Sequence, residues 1–300
     1  MADHASRYDH WAWLYNQTLG PRYGAHKIGP IERVVLPHVP AGGAILDLCC
    51  GTGQLAAALQ ARQFHVTGLD GSADMLRHAR DNAPSARFVL GDARHFDLGT
   101  PFDAVLCTSA SLNHMEGPED LAAVFSSVNR ALKAGGIFVF DVNHPAQMAR
   151  HWHGRPSEGE MQPDFAWAIT PQYDPAAGQG AFTVDIFRRA NGQRRSRLRA
   201  LAERLTRARP LRRLRLALLA RPGLLHRGWE HNRVVNRVWG HDLDQVSALL
   251  AQNGFAPELR STTGGPVDDG HAAYFFCRKI AETGSEPGAQ PGNVLAEVSA

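Results

Sequence analysis

Between Ala44 and Asn143, short apolar runs alternate with stretches of helical periodicity, and few architectures accommodate that rhythm. AILDLC (44–49), HVTGLD (65–70), ARFVLGD (86–92), FDAVLC (102–107) and GIFVFDVN (136–143, after a Gly135–Gly136 turn) have the composition of strands. Residues 54–63, 73–82 and 118–132 carry helical spacing. Strands interleaved with helices of about 10–15 residues mark a parallel sheet with helices on both faces. The expected fold is therefore α/β, a doubly wound, Rossmann-like and mostly parallel sheet.

The flanks differ from this core. Residues 1–42 are helical and aromatic (Tyr8, Trp11, Trp13, Tyr15) and end at Pro37, Pro40 and Gly42–Gly43, which suits an N-terminal helical lid. After Asn143 the rhythm breaks. Residues 163–189 predict two antiparallel strands around a Pro/Gly-rich turn, 195–221 two short helices split by Pro210, and 230–239 another strand. A helix over 242–253 and a strand over 272–279 follow, then a Gly/Pro/Ser-rich tail expected to be disordered. The expected units are the lid (1–42), a core (43–144), an inserted α+β lobe that caps the substrate (145–240), a return to the core (241–280) and the tail (281–300).

Composition excludes several classes. No apolar run approaches the ~20 residues that span a bilayer, and MADHASRYDHWAWLYN lacks the basic start and apolar stretch of a signal peptide. Four cysteines in 300 residues are too few for a disulfide framework. The expectation is a cytoplasmic protein with reduced thiols. Charge is uneven: from Arg188 to Arg233 there are fifteen arginines against Glu203 and Glu230, a net +13, which leaves −10 on the rest of the +3 chain.

The strongest local signal is LDLCCGTGQLA (46–56), where a strand gives way to a helix. Gly51 and Gly53 permit a tight turn and close approach of a ligand. GTGQLA fits the dinucleotide fingerprint, with Asp70 near the place of a ribose-binding acid. Asp47, immediately before the turn, discriminates. A carboxylate there repels a pyrophosphate and attracts a ligand bearing ammonium and sulfonium groups.

In this light Asp47-Leu-Cys-Cys-Gly-Thr-Gly53 resembles motif I of the class I S-adenosylmethionine (SAM)-dependent methyltransferases, with Cys49 at a position usually held by glycine. The resemblance implies SAM as cofactor. It assigns Asp70 to the ribose hydroxyls, with Gly71, Ser72 and Met75 following as in the family and Met75 flanking the adenine. Asp92 would accept from the adenine amino group, beside Ala93. FDAVLCTSASLNHM (102–115), which includes Cys107, resembles motif IV, and 131–143 the helix, turn and strand after it. Leu14-Tyr15-Asn16 resembles an N-terminal segment that folds over the cofactor through Tyr15. TPQYDP, Glu230, Arg237 and 241–255 resemble a subgroup with an antiparallel insertion after the fifth strand, which methylates small molecules such as amino sugars.

Methyl transfer needs in-line alignment, exclusion of water and, for some acceptors, a base. His114, at the mouth of the fourth strand, is the candidate base, and its alternative role is a loop histidine held by a backbone carbonyl. Asn143 and His144 leave the fifth strand on the same edge and would orient the acceptor. His144, His151 and His153 match no compact zinc spacing, so no metal is expected. Trp152, Phe165, Trp167 and Tyr173 would line the acceptor pocket or form the lobe's own core. Leu198, Leu201, Leu205, Leu211, Leu214 and Leu218 recur at helical spacing among arginines, as expected of a solvated lid over the pocket, with contact to a membrane surface the less favoured reading. The expected function is SAM-dependent methylation of a small molecule, an amine ahead of a hydroxyl. The alternatives are a nucleic-acid or carrier-bound substrate held by the arginines, or a SAM-binding protein without turnover.

Overall fold

The computed structural model describes residues 8–190, 197–206, 209–221, 229–261 and 265–280; the expected tail lies outside them. Two helices, Ala12–Gln17 (α1) and Leu19–Val34 (α2), lead into strand Ala44–Leu48 (β1). Alternating units follow: Gln54–Gln60 (α3), His65–Asp70 (β2), Ala73–Asn82 (α4), Arg87–Leu90 (β3), Phe102–Cys107 (β4), Pro118–Ala131 (α5) and Leu132–Val142 (β5). Then come Pro145–His151 (α6), Glu158–Met161 (β6), Phe165–Asp174 (β7), Gln179–Arg188 (β8), Arg197–Thr206 (α7), Arg212–Leu219 (α8) and Glu230–Trp239 (β9). Leu243–Gln252 (α9), Phe255–Ser261 (β10) and Ala273–Lys279 (β11) close the chain.

The large sheet has the order β10-β11-β5-β4-β1-β2-β3. Strands β1 to β5 are parallel, while β11 runs antiparallel to both β5 and β10. The chain moves outward from β1 through β2 to β3, then returns to place β4 on the other side of β1. Strand order therefore reverses between β1 and β4, and ligands of open α/β sheets bind at the carboxyl edge of such a reversal. One face is sealed by stacked aromatics: Phe138 on Phe140 (ring centroids 4.8 Å apart) and Phe140 on Phe275 (4.9 Å), with Phe125 of α5 beside them. Each such ring contributes about 2–3 kcal/mol by leaving water.

Three departures from the expected pattern concern the strands. The Gly135–Gly136 pair is no turn between helix and strand; β5 starts at Leu132, and the glycines form a bulge where Phe102 opposes Leu132 but Ala104 opposes Ile137. Strands β6 and β10 were not expected. Both are short edge strands, and β10 carries Pro257 among charged residues, so neither shows a run of β-formers.

Strands β6-β7-β8-β9 form the separate antiparallel sheet of the lobe. Its two faces follow the alternation of residues along each strand. Trp167, Val184, Ile186 and Val234 pack under the N-terminal Trp11, Leu14 and Leu19. Ala166, Ala168, Phe187 and Met161 take the opposite face and meet Leu219 of α8. The arginine-rich α8 thus covers the back of the lobe, which corrects the expectation of a lid over the pocket. Leu219 is the buried anchor, while Leu201 and Leu214 are about half exposed. Among the described residues no helix is long and apolar enough to cross a membrane.

The turn after β1 tests this geometry. Gly53 has φ +77°, and a Cβ there would lie 2.9 Å from Cα and Cβ of Ala79 in α4. Left-handed strain plus a backbone clash should make Gly53→Ala lose about 2–4 kcal/mol, read as a lower denaturant midpoint with an unchanged slope.

Candidate functional site

The site begins where β1 ends. Cys49 takes the left-handed conformation that its usual glycine would supply (φ +58°), as do Gly51 and Gly53. This turn aims the Gly51 N–H at Asp70 on the neighbouring strand, where Oδ2 accepts it at 2.8 Å. Asp70 Oδ1 accepts the Ser72 N–H at 2.9 Å. Ser72 caps α4, its Oγ accepting from the Met75 N–H, and Met75 is buried beneath. Gly71 is exposed between them. Cys107, fully buried at the end of β4, has its thiol against that of Cys49.

Asp47 is 2% exposed, and its Oδ2 has no hydrogen-bond partner. Burial, together with the Asp70 carboxylate, pushes it up to about 8. A buried carboxyl with an unspent oxygen, at the carboxyl end of β1, ionises beside a ligand's ammonium group and has that oxygen free to accept from it. This donor set fits SAM: Asp47 for the amino-acid end, and Asp70, rigidly held by two backbone N–H groups, for paired hydroxyls. Asp92 carries a partner that the sequence did not suggest. Both its oxygens are clasped by Arg94, which also bonds Asp120 at 2.9 Å, and Ala93 is buried beside it.

The N-terminal segment lies on this edge. Asp9 Oδ1 accepts from Ser72 Oγ (2.5 Å) and from the Asp74 N–H (3.2 Å). Tyr15 faces Gly51, with a ring carbon 3.7 Å from where a Cβ would stand. Asn16 Oδ1 accepts from Gln54 and Asn82 at 2.9 and 2.7 Å.

The acceptor side is built from the loop after β4. Asp141 of β5 is buried and accepts from the Ser109 and Ala110 N–H groups (2.8 and 3.1 Å), both residues having positive φ, and from Lys27 Nζ of α2 (2.9 Å). Asn113 is buried and ties three chain segments. Its Nδ2 donates to the carbonyls of Asn143 and Trp239 (2.7 Å each), and its Oδ1 accepts the Asn143 N–H. The Asn143 main chain is thereby fixed at the edge. His114 follows, with Nδ1 3.1 Å from the Arg237 carbonyl. A carbonyl only accepts, so Nδ1 carries a proton, and in the neutral ring Nε2 then presents a lone pair, here to the Tyr8 hydroxyl at 2.8 Å. Burial, reinforced by Tyr15 and Asp70, holds the Tyr8 phenol well above its ordinary range, so it keeps its proton and can donate to the neutral ring.

His144 needs correction. Its ring turns into the 268–271 loop, with Nε2 3.1 Å from the carbonyls of both Asp268 and His271, and it is 5% exposed. That nitrogen is committed as a donor, so His144 anchors the loop before β11 and does not orient an acceptor. Among the described residues, no three His, Cys, Asp or Glu side chains converge as a metal set would. The contributions of Tyr8, Asp9, Lys27, Asn113 and Asp141 escaped sequence reasoning. Each acts across more than thirty positions of chain or through a backbone group, with no motif to announce it.

A sheet that reverses at β1 and β4, with a glycine turn framed by Asp47 and Asp70, defines a nucleoside-binding domain of the SAM type. Relatives agree. A family described as a methyltransferase domain matches residues 45–136. An uncharacterised methyltransferase from Synechocystis sp. is 36% identical over 185 residues, covering 58% of this chain and 84% of that protein. The chain belongs to the class I SAM-dependent methyltransferases. A dTDP-3-amino-3,4,6-trideoxy-α-D-glucopyranose N,N-dimethyltransferase from Streptomyces venezuelae is 34% identical over 139 residues, 46% of this chain and 56% of that protein. The chain spans about half the length of the amino-sugar N,N-dimethyltransferases it matches. A crystal structure of a SAM-dependent methyltransferase from Clostridium acetobutylicum shares the fold, with TM-score 0.65 and 16% identity over 91% of this chain and 99% of that one.

The raised Asp47 has a measurable consequence. In the protein alone it is largely protonated at neutral pH, whereas a bound ammonium favours the carboxylate. SAM binding should therefore release close to one proton at pH 7, and affinity should rise with pH between 6 and 7.5, by at most about tenfold per unit. Calorimetry in buffers of different ionisation heat reads both, and Asp47→Asn removes both. Stability of the ligand-free protein should move oppositely, falling as pH rises from about 4 through 8. Asp47→Asn should then melt above the wild type at pH 8.

Proposed function

We propose that the protein transfers a methyl group from SAM to a small-molecule amine, with S-adenosylhomocysteine as the second product. SAM supplies a methyl already activated on a sulfonium; the chain's own residues bind it, exclude water and receive the acceptor. Asp47 would hold the amino-acid end and Asp70 the ribose, with Gly51, Gly53, Cys49, Gly71, Ser72, Met75, Asp92, Ala93 and Cys107 forming the rest of the cradle. Tyr15 and the segment around it would close the edge against water.

The observation that carries this reading is His114. Its tautomer is set by the Arg237 carbonyl, and its Nε2 lone pair faces the junction of core, lid and lobe. An acceptor amine must be neutral to attack, and Nε2 is placed to take its proton once Tyr8 yields the position. The names of the relatives support an amine on a sugar as the acceptor class. The position of α8 on the back of the lobe speaks against the arginines gripping a nucleic acid at the acceptor mouth.

The test is transfer of labelled methyl from SAM to a panel containing dTDP-3-amino-3,6-dideoxy-D-glucose, glucosamine, cyclohexylamine and a phenol. Turnover is expected on amines. His114→Asn should lower kcat by about 10²-fold while leaving the dissociation constant of S-adenosylhomocysteine unchanged. An unchanged kcat would remove His114 from the chemistry, and no turnover on any amine would contradict the proposal.

A further inference from the structure

Strand β9 carries one residue out of keeping with its surroundings. Asn236 is 0% exposed, and neither its Oδ1 nor its Nδ2 has a hydrogen-bond partner. It alternates with Val235 and Arg237, which are exposed, and shares its face with the buried Val234 and Val238. Val234 belongs to the cluster under the lid with Trp11, Leu14 and Trp167, so Asn236 points to that same inner side. In register, Asn236 stands opposite Phe182 of β8, whose ring lies 5.9 Å from the His114 ring. The next residue, Arg237, supplies the carbonyl that sets the His114 tautomer.

We infer that Asn236 is a specificity-determining residue of the acceptor site, and that with Phe182 it receives a hydroxyl-bearing ring whose amine is delivered to His114. The inference rests on the reading of this site as that of a small-molecule methyltransferase. A buried amide lacking partners is costly, and proteins seldom retain one without a use for it. The amide offers one acceptor and two donor hydrogens side by side. A hydroxyl next to the amine, or a pair of vicinal hydroxyls, satisfies both halves at once, whereas a plain alkylamine leaves them unmet. The flat apolar face of Phe182 suits one side of such a ring. Sites that hydrogen-bond a substrate hydroxyl reject analogues without it far more strongly than apolar pockets reject an extra methylene.

Asn236→Leu, which branches at the same carbon but carries no polar atom, tests this with glucosamine and dTDP-3-amino-3,6-dideoxy-D-glucose as hydroxyl-bearing probes and cyclohexylamine as the hydroxyl-free one. The expected result has three parts: KM for the amino sugars rises at least tenfold, KM for cyclohexylamine stays or falls, and the melting temperature is equal or higher. Binding of S-adenosylhomocysteine should be unaltered. Equal KM values for the amino sugars in variant and wild type would overturn the inference, as would a lower melting temperature with every KM raised alike, the mark of a packing role. If the wild type methylates no amine, the proposed function fails. The inference then falls with it, whereas amine turnover with unchanged amino-sugar KM values in the variant overturns the inference alone.

Discussion

A buried ion pair joins the parts that make the site. Asp141, near the end of β5, accepts from Lys27 of α2 and from two consecutive backbone N–H groups of the loop after β4. Burial works against charge on Lys27, yet Asp141 and Tyr274 outweigh it and hold its pKa above the usual value. Ser109 and Ala110 both occupy left-handed conformations that cost non-glycine residues free energy, and the carboxylate is what keeps them there. Beyond them the chain makes the short turn that carries Asn113 and His114. Removing one member of such a pair leaves an unpaired buried charge and costs about 3–5 kcal/mol. The lid helix, the sheet edge and the histidine loop are thereby coupled through one side chain.

From that anchor the division of labour follows. The parallel half of the sheet supplies Asp47 and Asp70 on adjacent strand ends, and the left-handed turn at Cys49 and Gly51 brings a backbone donor to the second of them. The lobe supplies a wall, from Trp167 to Asn236, under which α1 is buried. Asn113 holds wall and sheet together by bonding carbonyls of both Asn143 and Trp239. A methyl transfer site needs this kind of closure, because its main tasks are alignment and exclusion of water.

Much of this was legible in the sequence where the signal is local and periodic. The five parallel strands, the hairpin at β7 and β8, the final strand and the glycine turn all announce themselves through runs of β-formers, helical spacing or glycines. Asp47 could be read against the dinucleotide alternative because a charge beside a phosphate loop has a definite sign. What stayed hidden is non-local. Leucine spacing in α8 shows that one face is apolar but not which side of a sheet it meets. His144 has the residue type and position of a site histidine, yet two carbonyls from a loop more than 120 residues away claim its ring. Asn236 sits in an unremarkable strand, and only its burial without partners marks it. Edge strands β6 and β10 lack a pattern because one side of each has no neighbour to satisfy.

The central claim is that this glycine turn, with its two acidic strand ends, holds SAM. Titration calorimetry with SAM, S-adenosylhomocysteine and NAD, on the wild type and on Asp70→Ala, tests it most directly. The account predicts micromolar binding of SAM and S-adenosylhomocysteine, lost in the variant, and no binding of NAD. Tight binding of NAD, or SAM affinity indifferent to Asp70, would contradict it.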